Sequence, residues 1–138
     1  MNKAFYLSLN LSLEPFSLAL LDEQKVIFEH KRTGNYSFCE NIAQHIHQAC
    51  QQCELELSDC KGIAVINGPG SYTGTRLAVA TANTLAQVQN CPVYGFNSLD
   101  IISESLKPIK EFLITAIPSR KNELTFATFS AGGAAYRM

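Results

Sequence analysis

The sequence predicts a mixed α/β sheet dressed with helices. Three observations predict it: successive alternating apolar segments near the start, a later alternation of short apolar runs with helical periodicity, and one glycine-rich turn. That turn, Asn67-Gly68-Pro69-Gly70-Ser71-Tyr72-Thr73-Gly74-Thr75-Arg76, sits between an apolar run and a long helical pattern. With 138 residues, 46% of them apolar, the chain can build one domain around a modest core.

Within residues 5–13, Phe5, Leu7, Leu9, Leu11 and Leu13 share one face, with Tyr6, Ser8, Asn10 and Ser12 on the other. That is a strand pattern, and Glu14-Pro15 breaks it. Residues 16–21 read as a second strand, 22–25 as a polar turn and 26–30 as a third strand, an antiparallel meander. Ser37 with Glu40 forms a capping box, and Phe38, Ile42, Ile46, Ala49, Cys50 and Cys53 then recur at helical spacing, so a first helix is expected over 37–53. Residues 58–61 form a turn, and a strand over 62–66 delivers the glycine turn.

Pro69 fixes its own φ and biases Gly68 toward extended geometry. Gly68, Gly70 and Gly74 permit positive φ and leave room for a backbone or a ligand to come close. Ser71 and Thr73 can cap the helix that follows, and no His or Lys base lies near them in sequence to make them nucleophiles. A loop at the end of a strand and the head of a helix suits an anion, which makes Gly68, Gly70, Ser71, Thr73, Gly74 and Arg76 candidate nucleotide- or anion-binding residues. A purely structural tight turn fits the same residues. The spacing is neither a lysine-ended phosphate loop nor G-x-G-x-x-G. Arg76 can pair with a phosphate, a partner carboxylate or a surface acid.

The second helix is expected from about 73 to 87, and no charged residue occurs from Leu77 to Leu99. Such a helix is covered on more than one face. One face can pack on the sheet, while the ridge of Ala78, Ala82 and Ala86, with Leu85 beside it, is flat enough for a second helix to approach. These four are candidate interface residues; a core helix with no partner is the other reading. A short strand over 92–95, a helix from Ser98 to about Leu106 ended by Pro108, and strands over 112–117 and 124–129 complete the order βββαβαβαββ. The tail from Ser130 lacks a pattern and is expected to fray. This order matches a ribonuclease H-like (actin-like ATPase) domain, here a single domain over 1–138.

A net charge of −1 gives no basic field to hold nucleic acid directly. No apolar run is long enough to span a membrane, and Ser8, Asn10, Ser12 and Glu14 interrupt any signal-like core at the start. Five cysteines in this context read as reduced thiols in a cytoplasmic protein. Cys50-Gln51-Gln52-Cys53 lacks a second Cys-x-x-Cys, and His45 and His47 point to different sides of a helix, so the thiols are read as ordinary helix-face residues and no metal site is expected. Asp22, Asp59 and Asp100 read as solvated turn or helix-start residues.

The string Gly-Pro-Gly-Ser-Tyr-Thr-Gly-x-Arg from Gly68 to Arg76, followed by an Ala-rich helix, resembles the signature of the TsaB (YeaZ) family, glycoprotease-like proteins of threonylcarbamoyladenosine synthesis in tRNA. Residues 9–14 with 17–21 are similar to the family's opening hairpin, and 93–99 to its Val-x-Gly-x-x-Ser-Leu segment. Pro118-Ser119-Arg120 stands where the family has Asp-Ala-Arg, and Asn10 where catalytic relatives carry an Asp that helps hold metal and phosphate. The resemblance implies a non-catalytic scaffold for a TsaD-type protein, with a TsaE-type ATPase as a further partner, a homodimer when alone, and tRNA reached only through the complex. It implies no cofactor of its own, ATP or ADP and Mg²⁺ belonging to the partner, and no catalytic residue. Pairing through the first two helices adds Ile42 and Ile46 to the candidate interface. The chain stops where family members continue into a second half-domain, which is expected to be largely absent. The rival readings are a degenerate homodimeric homolog that no longer binds TsaD, and an ATPase- or metallopeptidase-like enzyme.

Overall fold

The structure, a computed structural model, describes residues 4–34, 36–106, 111–130 and 135–137. The meander forms as β1 (Phe5–Asn10), β2 (Phe16–Leu21) and β3 (Val26–Arg32), each pair antiparallel. Next come β4 (Cys60–Ile66) and β5 (Val93–Phe96), parallel to β1, in the sheet order β3-β2-β1-β4-β5. The mixed sheet therefore has the two halves that the sequence pattern implies.

Strict alternation in β1 and β2 sends Phe5, Leu7, Leu9, Phe16, Leu18 and Leu20 to one face. Three helices cover that face: α1 (Tyr36–Glu40), α2 (Ile42–Gln52) and α3 (Tyr72–Gln89), contributing Phe38, Ile42, Ile46, Ala78 and Ala82 to one continuous core. Covering roughly six large side chains at about 1.5–3 kcal/mol each makes this seam the main source of stability.

The single first helix expected over 37–53 is two segments. It starts at Tyr36, so Ser37 and Glu40 lie inside the first segment and form no capping box. Asn41 separates the segments, and its side-chain amide donates to the Ser37 carbonyl at 2.9 Å, competing with the helix ladder at that point. α3 runs longer than expected and stops where Asn90 takes a left-handed conformation, the usual terminator when glycine is not used.

After β5, α4 (Ser98–Ser105) is capped by Asn97, whose carboxamide accepts from the Leu99 N–H at 2.9 Å; Ser98, the expected cap, is the first residue inside. Pro108, expected to end this helix, lies outside the described residues. β6 (Phe112–Pro118), β7 (Leu124–Ser130) and β8 (Ala135–Arg137) form a separate antiparallel sheet. Strand β8 lies in the tail read as patternless; the rest of that tail, 131–134 and Met138, lies outside the described residues. A second core of Leu99, Ile117, Ala127 and Phe129 joins α4 to this sheet, and Leu13 packs on it.

Candidate functional site

β4 ends at Ile66, and the glycine turn carries the chain from there into α3. Gly68 is not extended but has φ +96°, so the position needs glycine for its own backbone. The Asn67 N–H donates to the Phe96 carbonyl at 3.0 Å and the Ser98 N–H to the Gly68 carbonyl at 2.9 Å, fixing the turn to the end of β5 and the head of α4.

The other wall of the turn is the bend between β1 and β2. Ser12 is buried there. Its hydroxyl donates to the Ile66 carbonyl at 2.9 Å and accepts from the Thr75 hydroxyl at 2.9 Å, while its carbonyl accepts from the Ser71 N–H at 2.7 Å. A Cβ on Gly70 would strike the Ser12 carbonyl, and one on Gly74 the Leu11 carbonyl oxygen. Ser71 caps α3 as expected, its hydroxyl accepting from the Gly74 N–H at 3.2 Å.

These contacts bear on both readings of the turn. The structure brings Gly68, Gly70, Ser71, Thr73, Gly74 and Arg76 into one loop, but the N–H groups of Ser71 and Gly74 are already satisfied within the chain. The space that Gly70 and Gly74 leave open is filled by the 11–12 backbone. Arg76 lies back over the first turn of the helix: its guanidinium lies 5.2 Å above the Tyr72 ring and donates to the Tyr72 hydroxyl at 3.2 Å. Thr73 is exposed on the helix and is not the cap. Geometry thus gives the signature a structural task, sealing two distant segments together. Ser12, which carries that seal, reads in sequence as a polar residue on the outer face of a strand. The nearest signal is a small hydroxyl residue just before the Glu14-Pro15 breaker.

Asn10 anchors the same bend. Its carboxamide oxygen accepts from the Ser12 and Leu13 N–H groups at 3.2 and 3.1 Å, and its NH₂ donates to the Leu13 and Pro15 carbonyls at 2.9 and 3.1 Å. A carboxylate could accept the first two bonds but would face the two carbonyl oxygens with no proton to offer. The bend therefore specifies an amide. Pro118 and Arg120 lie at the β6–β7 hairpin, where the Ser119 N–H donates to the Glu123 carbonyl at 3.0 Å and Asn122 supplies a left-handed turn residue. Among the described residues no three His, Cys, Asp or Glu side chains are grouped to hold a metal ion.

The candidate interface residues are placed differently from the expectation. Ile42, Ile46, Ala78, Ala82 and Ala86 are buried in the chain's own core, and Leu85 packs half-buried against it. The alanine ridge lets α3 sit close on the sheet. The outward side of α3 carries Arg76, Ala80, Asn83, Thr84 and Gln87, with Val88 72% and Tyr72 74% exposed. Past Arg76 in its first turns the helix has no charged residue to set its phase, and this is why the sequence left the inward face open to either reading.

One cluster is invisible in sequence. His30 on β3 meets Phe38 at 5.2 Å and His45 on α2 at 5.3 Å between ring centroids, and Phe38 stacks on His45 at 4.7 Å. Burial first, then Arg32 and His45, hold the His30 imidazole below its usual range.

This arrangement, a meander running into parallel strands with a second sheet appended, is the actin-like ATPase type of α/β fold. Residues 34–135 match the family model described as TsaD, tRNA N6-adenosine threonylcarbamoyltransferase. The chain belongs to this family, on its TsaB (YeaZ) side. It is 26% identical over 118 residues to the tRNA threonylcarbamoyladenosine biosynthesis protein TsaB of Bacillus subtilis, covering 86% of this chain and 52% of that protein. A TsaB of Buchnera aphidicola is 22% identical over 125 residues, covering 89% and 59%. YeaZ from Pseudomonas aeruginosa superposes with a TM-score of 0.80 at 23% identity, over 98% of this chain and 66% of that one. The chain thus spans little more than half the length of these curated relatives.

Proposed function

We propose that this chain is a non-catalytic accessory partner of a TsaD-type protein in the threonylcarbamoyladenosine modification of tRNA. The observation that carries the reading is Asn10: all four of its amide hydrogen bonds are spent on the β1–β2 bend, at the position where an acidic group would be needed for metal and phosphate. The names of the TsaB relatives support the pathway. No helix among the described residues is long and apolar enough to cross a membrane, in keeping with an encounter in the cytoplasm. The contact would use the outward side of α3, since the inward side is occupied by the sheet.

The test is to mix the chain with the TsaD-type protein of the same source and to weigh the lone chain and the mixture by light scattering. A species of summed mass, with no ATP hydrolysis by the lone chain above buffer, is the expected result. A homodimer that ignores the TsaD-type protein would favour a degenerate homolog. Metal-dependent ATP turnover lost in Asn10→Ala would favour an enzyme.

A further inference from the structure

Among the described residues the two sheets have four edge strands, β3 and β5 in one and β6 and β8 in the other. Three of them are poor templates for another strand. β3 ends in Glu29, His30, Lys31 and Arg32, a charged run that resists pairing. β5 has four residues with Gly95 among them, and β8 has three. β6 is different. Its seven residues carry no charge and no glycine, and they pair with β7 without a shift in register. Pro118, which has no N–H, stands only at its last position. Every second residue of an antiparallel strand turns its N–H and C=O away from its neighbour, so the free side of β6 offers a row of donors and acceptors. The outer face of the strand is apolar as well. Phe112 is 63% and Ile114 57% exposed, Ala116 and Pro118 are exposed beside them, and Leu124 of β7, 67% exposed, stands opposite Pro118. The inner face is fixed: Ile117 packs in the second core with Leu99, and the buried Thr115 hydroxyl donates to the Leu99 carbonyl at 3.5 Å.

We propose that the free edge of β6 pairs antiparallel with β6 of a second copy of this chain, about a twofold axis at Thr115. A strand that meets its own copy in this way makes an isologous contact, which closes at two chains. In that register Phe112 stands opposite Pro118 and Ile114 opposite Ala116, a large side chain beside a smaller one at each step. No like charges meet along the paired strands, because neither copy brings one. The sheet then runs without a break as β8-β7-β6-β6-β7-β8, and Phe112 of one copy extends the apolar row of Pro118 and Leu124 in the other. Edge pairing of this length buries less than about 1,200 Å², the size of weak and transient interfaces, so the dimer should form at roughly tens of micromolar and dissolve on dilution. The contact uses no residue of α3 and is separate from the encounter with a TsaD-type protein.

The test is sedentation of the full chain across a dilution series by analytical ultracentrifugation, with amide hydrogen exchange of the unaltered protein at the two ends of the series. The expected result is a shift from monomer to dimer with rising concentration, and exchange over residues 112–118 slowed by about tenfold in the dimer while β3 and α3 exchange as before. Ile114→Lys places a charge on an exposed position, so the protomer should keep its fold, and it should weaken the dimer by at least about tenfold. Val88→Lys, on the outward side of α3, should leave the dimer as it is and weaken only the TsaD-type encounter. A chain that stays monomeric at about 200 μM, a dimer whose β6 amides exchange as fast as in the monomer, or a dimer indifferent to Ile114→Lys would overturn the proposal.

Discussion

Gly74 and Gly34 make opposite demands on their surroundings. At Gly74 the obstacle is space, because a methyl group would meet the Leu11 carbonyl. At Gly34 nothing lies within 4 Å of an added Cβ, and only its φ of +68° resists a side chain. Gly74→Ala should therefore lower stability by about 3 kcal/mol, the upper range for overpacking against backbone, and Gly34→Ala by about 1 kcal/mol. Urea midpoints measured on both variants check the ranking; equal losses would mean that the bend yields easily. His30 gives a second expectation at this scale. Its folded value lies below the ordinary 6.5, so the unfolded chain binds the extra proton more readily as pH falls. Stability from this group is complete above about pH 6.5 and is lost as pH drops through that value toward the lower folded one. Melting temperatures should fall between about pH 7 and pH 5, and less so in His30→Phe, which keeps the ring against Phe38. An unchanged slope in the variant would assign the loss to other groups.

At the scale of elements, α3 joins two jobs. Its alanines set the distance to the sheet, and its first turn receives the bend between β1 and β2. Ala82→Leu forces a larger side chain into a fully buried position and should cost about 1–3 kcal/mol, with Ala80→Leu on the outward side within about 0.5 kcal/mol of the parent. Denaturant curves separate this from the expectation that Ala82 lies in an interface. In that case Ala82→Leu would change the mass in solution and leave the protomer's stability alone. The first helix shows a subtler limit of periodicity. Its apolar residues keep their spacing through Asn41, and only a side-chain bond to the Ser37 carbonyl marks the break.

For the whole molecule, β1 and β2 were legible because each has one side buried in the core, which is what alternation records, while β3 buries neither side fully. The glycine string was legible as a junction between strand and helix. What it joins was not, because Ser12 and Thr75 meet across 63 positions and no local rule links them. The face of α3 could not be phased because no charge follows Arg76 along it, and β8 is too short, at three residues, to show a period. The partition into two sheets also escaped the pattern. It depends on α4 and Leu13 closing a second core, a tertiary choice that the order of elements leaves open.

The seal between the Leu11–Ser12 bend and the glycine turn bears on how such a chain can be recombined. In a chimera of two homologous parents, a crossover before Leu11 or after Thr75 takes both halves of this joint from one parent. A crossover between them marries the bend of one to the turn of the other, where a carbonyl displaced by a few tenths of an ångström meets the hydrogens of Gly70 or Gly74. The permissible breakpoints are set by that joint, even though the segment between its halves includes exposed loops that would otherwise invite a cut.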